Sequence, residues 1–497
     1  MTVAPASASR GSLEPWLFDE IQYYEHQVDG VRILAHMQSY LLADDMGLGK
    51  SLEALTTTAV DVIRGWIENI IVVAPVSLKA NWADEIEKFT RFPYLILGEE
   101  PHPTKPGVIK KLGPAAREKQ IEDFKAMEGP KILIVNYEQV IAHVDSFNRL
   151  GFDVAIYDEA HYIKNYASKR TKACMKLITR RSMLLTGTPM LNHVNELWPL
   201  LHKIDPAGYP KYWSFVNRYA VFGGYKKKEI VGVKNEKELT QRLKHVMVRR
   251  LKEDVLDLPE VQYIQRHVDL LPEQRDLYNE AVDTLQIQIT GAATPLELEN
   301  ALVKMLRLKQ ICGTTWQFNG TDLSAKLDLA ILDSLELLYN GHKIVVFTQF
   351  RDIQELYCRR LDAAAPDDFD IWELNGDVPA NKRVGIVRDW ASDKKPGAIV
   401  CMLQISGFGL NMTAARHGLF LDKLYVPGLN QQAVDRMHRI GSDVTQPVQI
   451  FEYICRATIE HRIEQILRTK RKLFKSVIED DDFKRKLVQH LMEEGFQ

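Results

Sequence analysis

Two short stretches of this 497-residue chain hold residue types that could do phosphate chemistry. Residues 43–51 read Ala-Asp-Asp-Met-Gly-Leu-Gly-Lys-Ser. A glycine turn that opens a helix aims backbone N–H groups and the positive end of the helix dipole at an anion. Lys50 would reach the β- and γ-phosphates of a nucleotide, and the Ser51 hydroxyl would ligate Mg²⁺. The usual pattern has glycine five positions before the Gly-Lys pair. Here that position is Asp44, so Gly47 must make the tight turn. Gly-Leu-Gly-Lys-Ser also occurs as an ordinary loop entering a helix, and the stretch alone leaves that reading open. Residues 154–161, Val-Ala-Ile-Tyr-Asp-Glu-Ala-His, form the second stretch. An apolar strand ending in two acids brings both carboxylates out at its C-terminal edge, where α/β sheets bind ligands. Asp158 would hold Mg²⁺, directly or through water, and Glu159 would orient and deprotonate an attacking water. Asp followed by Glu is also a common helix start. The upstream phosphate loop weighs against that alternative.

The elements that must position these residues are legible as alternating apolar runs and helical stretches. Tyr40, Leu41 and Leu42 lead into the loop, and residues 51–55 read as the first turns of a helix. Further runs at 70–74, 132–135, 154–157 and 183–185, then at 344–347, 398–402, 419–421 and 449–454, lack polar alternation. Such runs suit strands buried on both faces of a parallel sheet. Two sets predict two α/β domains. Residues 197–248 show aromatics, turn residues and charges without a clear buried strand, and 272–338 are helical in pattern. Both read as helical additions to the α/β cores. Residues 246–260 read as the crossing between domains, because Pro259 stops a helix there. Residues 99–118, rich in Pro, Gly and Lys, read as a surface loop.

Bulk composition narrows the class. With 45% apolar and 26% charged residues the chain is a globular one with ample core. A net charge of −2 gives no global basic field, so nucleic-acid binding needs basic residues gathered on one surface. The five cysteines include no Cys-x-x-Cys pair, which points to buried thiols in a reducing compartment rather than disulfides or zinc. No run is long enough to span a membrane, and the N-terminus lacks the apolar core of a signal peptide. The expectation is an intracellular protein, most simply cytoplasmic.

Taken in order, the motifs resemble those of Swi/Snf-family ATPases, the duplex-DNA translocase branch of helicase superfamily two. Residues 24–31, with Gln27, resemble the adenine-reading segment. The loop, with Asp45, Met46, Gly47, Leu48, Gly49, Lys50 and Ser51, resembles a family loop that also lacks the early glycine. Residues 73–82, containing Lys79, resemble motif Ia, and 136–138 the DNA-side segment after it. Residues 158–165 with His161 resemble motif II, and 185–192 with Thr186 and Thr188 resemble motif III. Residues 249–255 resemble the signature before the second lobe. Gln349 falls in a motif IV-like stretch, and residues 374–376 with Arg383 resemble the segment after it. Gly409 and Asn411 fall in a motif V-like stretch, and Arg436 and Arg439 in a motif VI-like one. Asp45 for Glu, Ser51 for Thr, Tyr157 before the acids, Met437 in motif VI and Ser442 just after it depart from the family pattern without removing a catalytic group.

The resemblance implies two RecA-like lobes with helical insertions, ATP and Mg²⁺ as cofactors, and duplex or forked DNA as partner. The lobes would span 15–262, with a protrusion near 196–248, and 263–470, with an insertion near 272–340; residues 1–14 and 471–497 would be a loose N-terminus and a charged tail. Arg436 and Arg439, three apart and so on one face of a helix, would stabilise γ-phosphate charge. Lys79, Gln349 and Asn411 would line the DNA track or link it to the nucleotide; His161, Thr186 and Thr188 would couple the two. The basic stretches at 226–244 and 468–472 suit phosphate gripping or a solvated face about equally in the first case, and an ordinary charged helix in the second. The expected role is a monomeric translocation or remodelling motor in DNA repair, replication or recombination. The absence of a recognisable accessory module favours a prokaryotic or phage source. An RNA helicase, the motor subunit of a restriction or anti-phage complex, and a non-hydrolysing scaffold are the rival readings.

Overall fold

Every apolar run read from the sequence contributes to a strand, and each of those strands lies in one of two parallel sheets. The computed structural model describes residues 16–464 except 19, 102–108, 191–192, 224–228, 257, 290–294, 407–409, 425–426, 440–444 and 462–463. The termini, the lysines at 226–228, Gly409 and the basic run at 468–472 thus lie outside the described residues. The chain divides into two units, Met1–Leu256 and Asp257–Gln497.

In the first unit the strands are β1 (Tyr40–Leu42), β2 (Asn69–Ala74), β3 (Tyr94–Ile96), β4 (Glu99–Pro101), β5 (Ile109–Lys111), β6 (Lys131–Asn136), β7 (Val154–Asp158), β8 (Arg181–Leu185), β9 (Ala220–Gly223), β10 (Glu229–Val233) and β11 (Met247–Val248). Seven of them form one parallel sheet in the order β11-β1-β8-β7-β2-β6-β3. Successive residues of a strand face opposite sides. Ile71, Val73, Leu133 and Tyr157 therefore pack into one core, and Ile70, Val72, Ile132 and Ile156 into the other. The chain leaves β1 through helix Lys50–Ile63 and lands in β2, and later strands β7 and β8 fill the space between. The C-terminal ends of β1, β8 and β7 thereby come side by side. Helix starts follow local chemistry: Asn136 Oδ1 accepts from Gln139 N at 2.8 Å while Gln139 Oε1 accepts from Asn136 N at 2.8 Å, a reciprocal cap for helix Tyr137–Leu150.

In the second unit the strands are β12 (Val261–Val268), β13 (Ile344–Thr348), β14 (Asp370–Leu374), β15 (Gly397–Met402), β16 (His417–Phe420) and β17 (Val448–Cys455), all parallel, in the order β12-β17-β16-β13-β15-β14. The helical addition is present as Pro272–Ile289, Pro295–Gly313, Trp316–Asn319 and Ala325–Tyr339. All five cysteines are buried and free. Among the described residues no helix is long and apolar enough to cross a membrane.

Some readings change. Residues 99–118 are not a plain loop: β4 and β5 pair antiparallel, and a helix begins at Pro114. The addition within 197–248 holds the antiparallel pair β9 and β10 beside its helices, and β11 joins the main sheet next to β1. The segment read as a crossing at 246–260 thus begins as a sheet edge, and the division between units falls after Leu256.

Candidate nucleotide site

The phosphate loop runs from the end of β1 to helix Lys50–Ile63. Gly47 and Gly49 have φ of 85° and 86°, the left-handed region that side chains disfavour, so the turn needs both glycines. Gly49 is the helix N-cap. Lys50 and Ser51 are thus the first residues of the helix, at the end where its unpaired N–H groups lie. Lys50 Nζ donates to the Asp44 and Asp45 carbonyls at 2.8 and 3.0 Å. Burial pushes the Lys50 ammonium below the usual lysine range, and Glu159, Asp44, Asp158 and Asp45 pull it back. The loop lysine therefore feels the acid pair of β7, which brings the two chemical stretches of the sequence into one site. Leu48 and Met46 are buried, and Gly187 leaves room for Met46, whose Cγ would lie 2.7 Å from a Cβ there. Gln27 is buried beneath the turn; its Oε1 accepts from Tyr24 N at 3.0 Å and its Nε2 donates to the Leu48 carbonyl at 3.0 Å. In this structure Gln27 thus holds the loop.

Asp158 is the last residue of β7, and Glu159 turns left-handed immediately after it, with φ 48° and ψ 53°. A glutamate in that region is strained, and such strain gathers at functional sites. The turn separates the two acids. Asp158 Oδ2 accepts from Trp82 Nε1 at 2.9 Å, and its Oδ1 from the Glu159 N–H at 2.9 Å. Glu159 Oε2 lies 3.2 Å from His161 Nδ1, which is also 3.3 Å from Thr186 Oγ1. The His161–Thr186 contact links the C-terminal ends of β7 and β8, and Thr186 Oγ1 also accepts from Thr188 N at 3.2 Å. Burial, reinforced by the Glu159 charge, pushes the Asp158 carboxyl upward, against the Trp82 and Glu159 N–H bonds and Lys50. A buried pair of oxygen donors that resists full ionisation is the chemistry a hard divalent cation relieves. Asp158 and the Ser51 hydroxyl fit Mg²⁺ by donor type.

Trp82 and Arg250, which the sequence does not single out, contact Asp158 and Asp44 respectively. Trp82 stood inside the motif Ia-like stretch, and Arg250 inside the signature at 249–255. Asp44 was noticed only as a missing glycine. It is fully buried, and its carboxylate accepts from Arg250 N at 2.8 Å and Arg250 Nε at 2.9 Å.

Other expected residues lie elsewhere. Lys79 is 2% exposed, and its Nζ donates to the Leu97 carbonyl at 2.8 Å and Glu99 Oε1 at 2.9 Å. The Lys79 ammonium is thus paired within the first unit. In the second unit Gln349 is buried, its N–H donating to Asp422 Oδ1 at 3.1 Å and its Nε2 to the Lys423 carbonyl at 3.4 Å. Asn411 is exposed, and its Oδ1 accepts from Thr413 N at 3.4 Å. Arg436 is buried and Arg439 half-buried. They do not share a helix, because the helix Pro427–Val434 ends before either. Bonds from Arg436 N to the Ala433 carbonyl and from Met437 N to the Val434 carbonyl tighten the chain into turns there.

Comparison with known proteins gives the family. The SNF2-related domain model matches residues 26–315, and the helicase conserved C-terminal domain matches 328–441. An uncharacterized ATP-dependent helicase of Mycoplasma pneumoniae is 28% identical over 469 residues, which cover 92% of this chain and 42% of that protein. Chromodomain-helicase-DNA-binding protein 6 of Homo sapiens is 26% identical over 495 residues, covering 92% and 18%. The chain thus spans less than half the length of these curated relatives. The Sulfolobus solfataricus SWI2/SNF2 ATPase core solved with double-stranded DNA aligns over 96% of each chain, with 24% identity and a TM-score of 0.42. With more than half its length matched by the SNF2-related model, the chain belongs to the SNF2-related family of helicase-like ATPase cores.

Proposed function

We propose that the chain hydrolyses ATP and uses the cycle to move along, or remodel, duplex or forked DNA. The observation that supports this most directly is the convergence of Lys50, which follows β1, with Asp158 and Glu159 at the end of β7, the two strands flanking β8 with their C-terminal ends on one side of the sheet. In this reading the loop N–H groups and Lys50 bind the phosphates. Mg²⁺, held by Ser51 and Asp158, would supply Lewis-acid charge to the phosphoryl oxygens. Glu159 orients and deprotonates water, and His161 and Thr186 pass its state to the end of β8. Arg436 and Arg439 of the second unit serve the γ-phosphate, a role worth on the order of 10³–10⁵ in turnover where arginine fingers act. DNA as the substrate rests on family membership and on the ordered motifs of both units.

The test is the phosphate-release rate with duplex, forked and single-stranded DNA, and with RNA as control. Duplex or forked DNA should stimulate most. Glu159→Gln should keep nucleotide binding and lose roughly 10²–10⁴ in rate, the usual contribution of a general base. Lys50→Ala should lose both binding and turnover. Wild-type turnover in Glu159→Gln, or stimulation by RNA alone, would overturn the assignment.

A further inference from the structure

Asp44 occupies the position where an ordinary phosphate loop has glycine, and the structure supplies its partner. Arg250 meets the Asp44 carboxylate through its backbone N–H at 2.8 Å, through Nε at 2.9 Å, and through Nη2. The same Nη2 lies 2.8 and 2.7 Å from the two oxygens of Glu53, in the helix after the loop. Nη1 donates to the carbonyl of His26, next to Gln27. The Arg250 carbonyl accepts from Asp45 N at 3.0 Å, and the Val248 carbonyl from Ala43 N at 2.7 Å. A Cβ at Gly30 would collide with the Glu53 carboxylate and lie 2.7 Å from Arg250 Nη1, so position 30 is kept small by this cluster. One guanidinium thus joins the loop entry, the loop helix and the segment beneath the turn. Only a planar fork can make these bonds together; a lysine offers a point charge.

We propose that Arg250 is a positioning residue for the nucleotide reaction. It fixes the entry of the phosphate loop through Asp44 and Asp45, and it ties the loop to the strand that leads toward the end of the first unit at Leu256. Its contacts in the structure are with the loop, the loop helix and the segment beneath the turn. This inference rests on the nucleotide reading of the loop above.

The experiment measures fluorescent ATP-analogue binding, KM and kcat for wild type, Arg250→Lys, Asp44→Asn and the double variant. Each single change should raise Kd and KM at least about tenfold, in line with losing a charge-assisted hydrogen bond, with kcat changed less than about threefold. The double variant should be no worse than Arg250→Lys alone, because Arg250→Lys already removes the Asp44 contact that Asp44→Asn removes. A purely structural role would lower the active fraction and hence apparent kcat at unchanged KM. That pattern, or multiplying effects, overturns the proposal. If Arg250→Lys fails to fold, Asp44→Asn alone decides on the same KM and Kd criterion. Wild-type protein that binds no nucleotide overturns this proposal and the function above together; normal wild-type binding with unchanged variants overturns this one only.

Discussion

Gly49→Ala places a methyl group where the structure has two separate reasons to refuse it. The residue has φ 86°, and its Cβ would overlap Gln27 Nε2. Holding an L-residue in the left-handed region costs about 1–2 kcal/mol. Displacing the Gln27 amide breaks its bond to the Leu48 carbonyl, at about 1 kcal/mol. Restricting the unfolded chain returns roughly 0.4–1 kcal/mol. The net loss is about 2 kcal/mol, which for a unit of this size is roughly 4–8 °C in Tm. The assay is thermal unfolding of the first unit's transition, with Gln27→Ala and the double variant completing a cycle. Removing Gln27 frees the space, so Gly49→Ala should cost about 1 kcal/mol less in the Gln27→Ala background. Strict additivity would show that Gln27 does not support the turn. A cost below about 0.5 kcal/mol, the range of an ordinary surface change, would show that the loop is not left-handed at Gly49.

Two predictions concern the second unit. Lys326 is fully buried, 2.6 and 2.8 Å from the Glu460 oxygens, one of which also accepts from Cys455 N at 3.2 Å. Lys326→Met should destabilise by about 3–5 kcal/mol in urea unfolding, and Lys326→Met with Glu460→Gln should recover most of it, because the cost is an unpaired buried charge. His417 is held near pH 4 by burial first, then by the charges of His342 and Arg416. Its folded pKa lies below the unfolded value, so the unfolded chain takes up the extra proton between about pH 6.5 and 4. Stability should be full above that window and fall through it, and His417→Gln should flatten the decline; a flat wild-type profile would refute the burial argument.

The interiors of both sheets were legible because strands with neighbours on both sides and helices on both faces must be continuously apolar. Within these two sheets the strands that escaped, β3, β11, β12 and β14, are the edges. Each has one neighbour in its sheet; β12 (Val-Gln-Tyr-Ile-Gln-Arg-His-Val) and β14 (Asp-Ile-Trp-Glu-Leu) mix polar and apolar residues, while β3 and β11 are only three and two residues long. The site was legible where the chemistry demands a residue type, at Gly47, Gly49, Lys50, Asp158 and Glu159. It was not legible where a residue's partner is distant in sequence. Arg250 and Asp44 are separated by 206 positions, and Trp82 and Asp158 by 76. Lys79 shows the same limit, since a lysine in a motif carries no sign of its pairing with Glu99.

Consecutive acids with different duties need a backbone reason, and Glu159 supplies it. Along a regular strand, Asp158 and Glu159 would point to opposite faces. Two carboxylates left close together would instead share one proton and one role. Here β7 stops at Asp158, and the positive φ of Glu159 throws its side chain toward His161 while Asp158 stays tied to Trp82. The first acid is fixed from β2's side through the motif Ia-like stretch, the second from β8's side through Thr186. Strain of about 1–3 kcal/mol at one residue therefore gives two consecutive carboxylates separate partners, the separation that the proposed metal-ligand and general-base roles require.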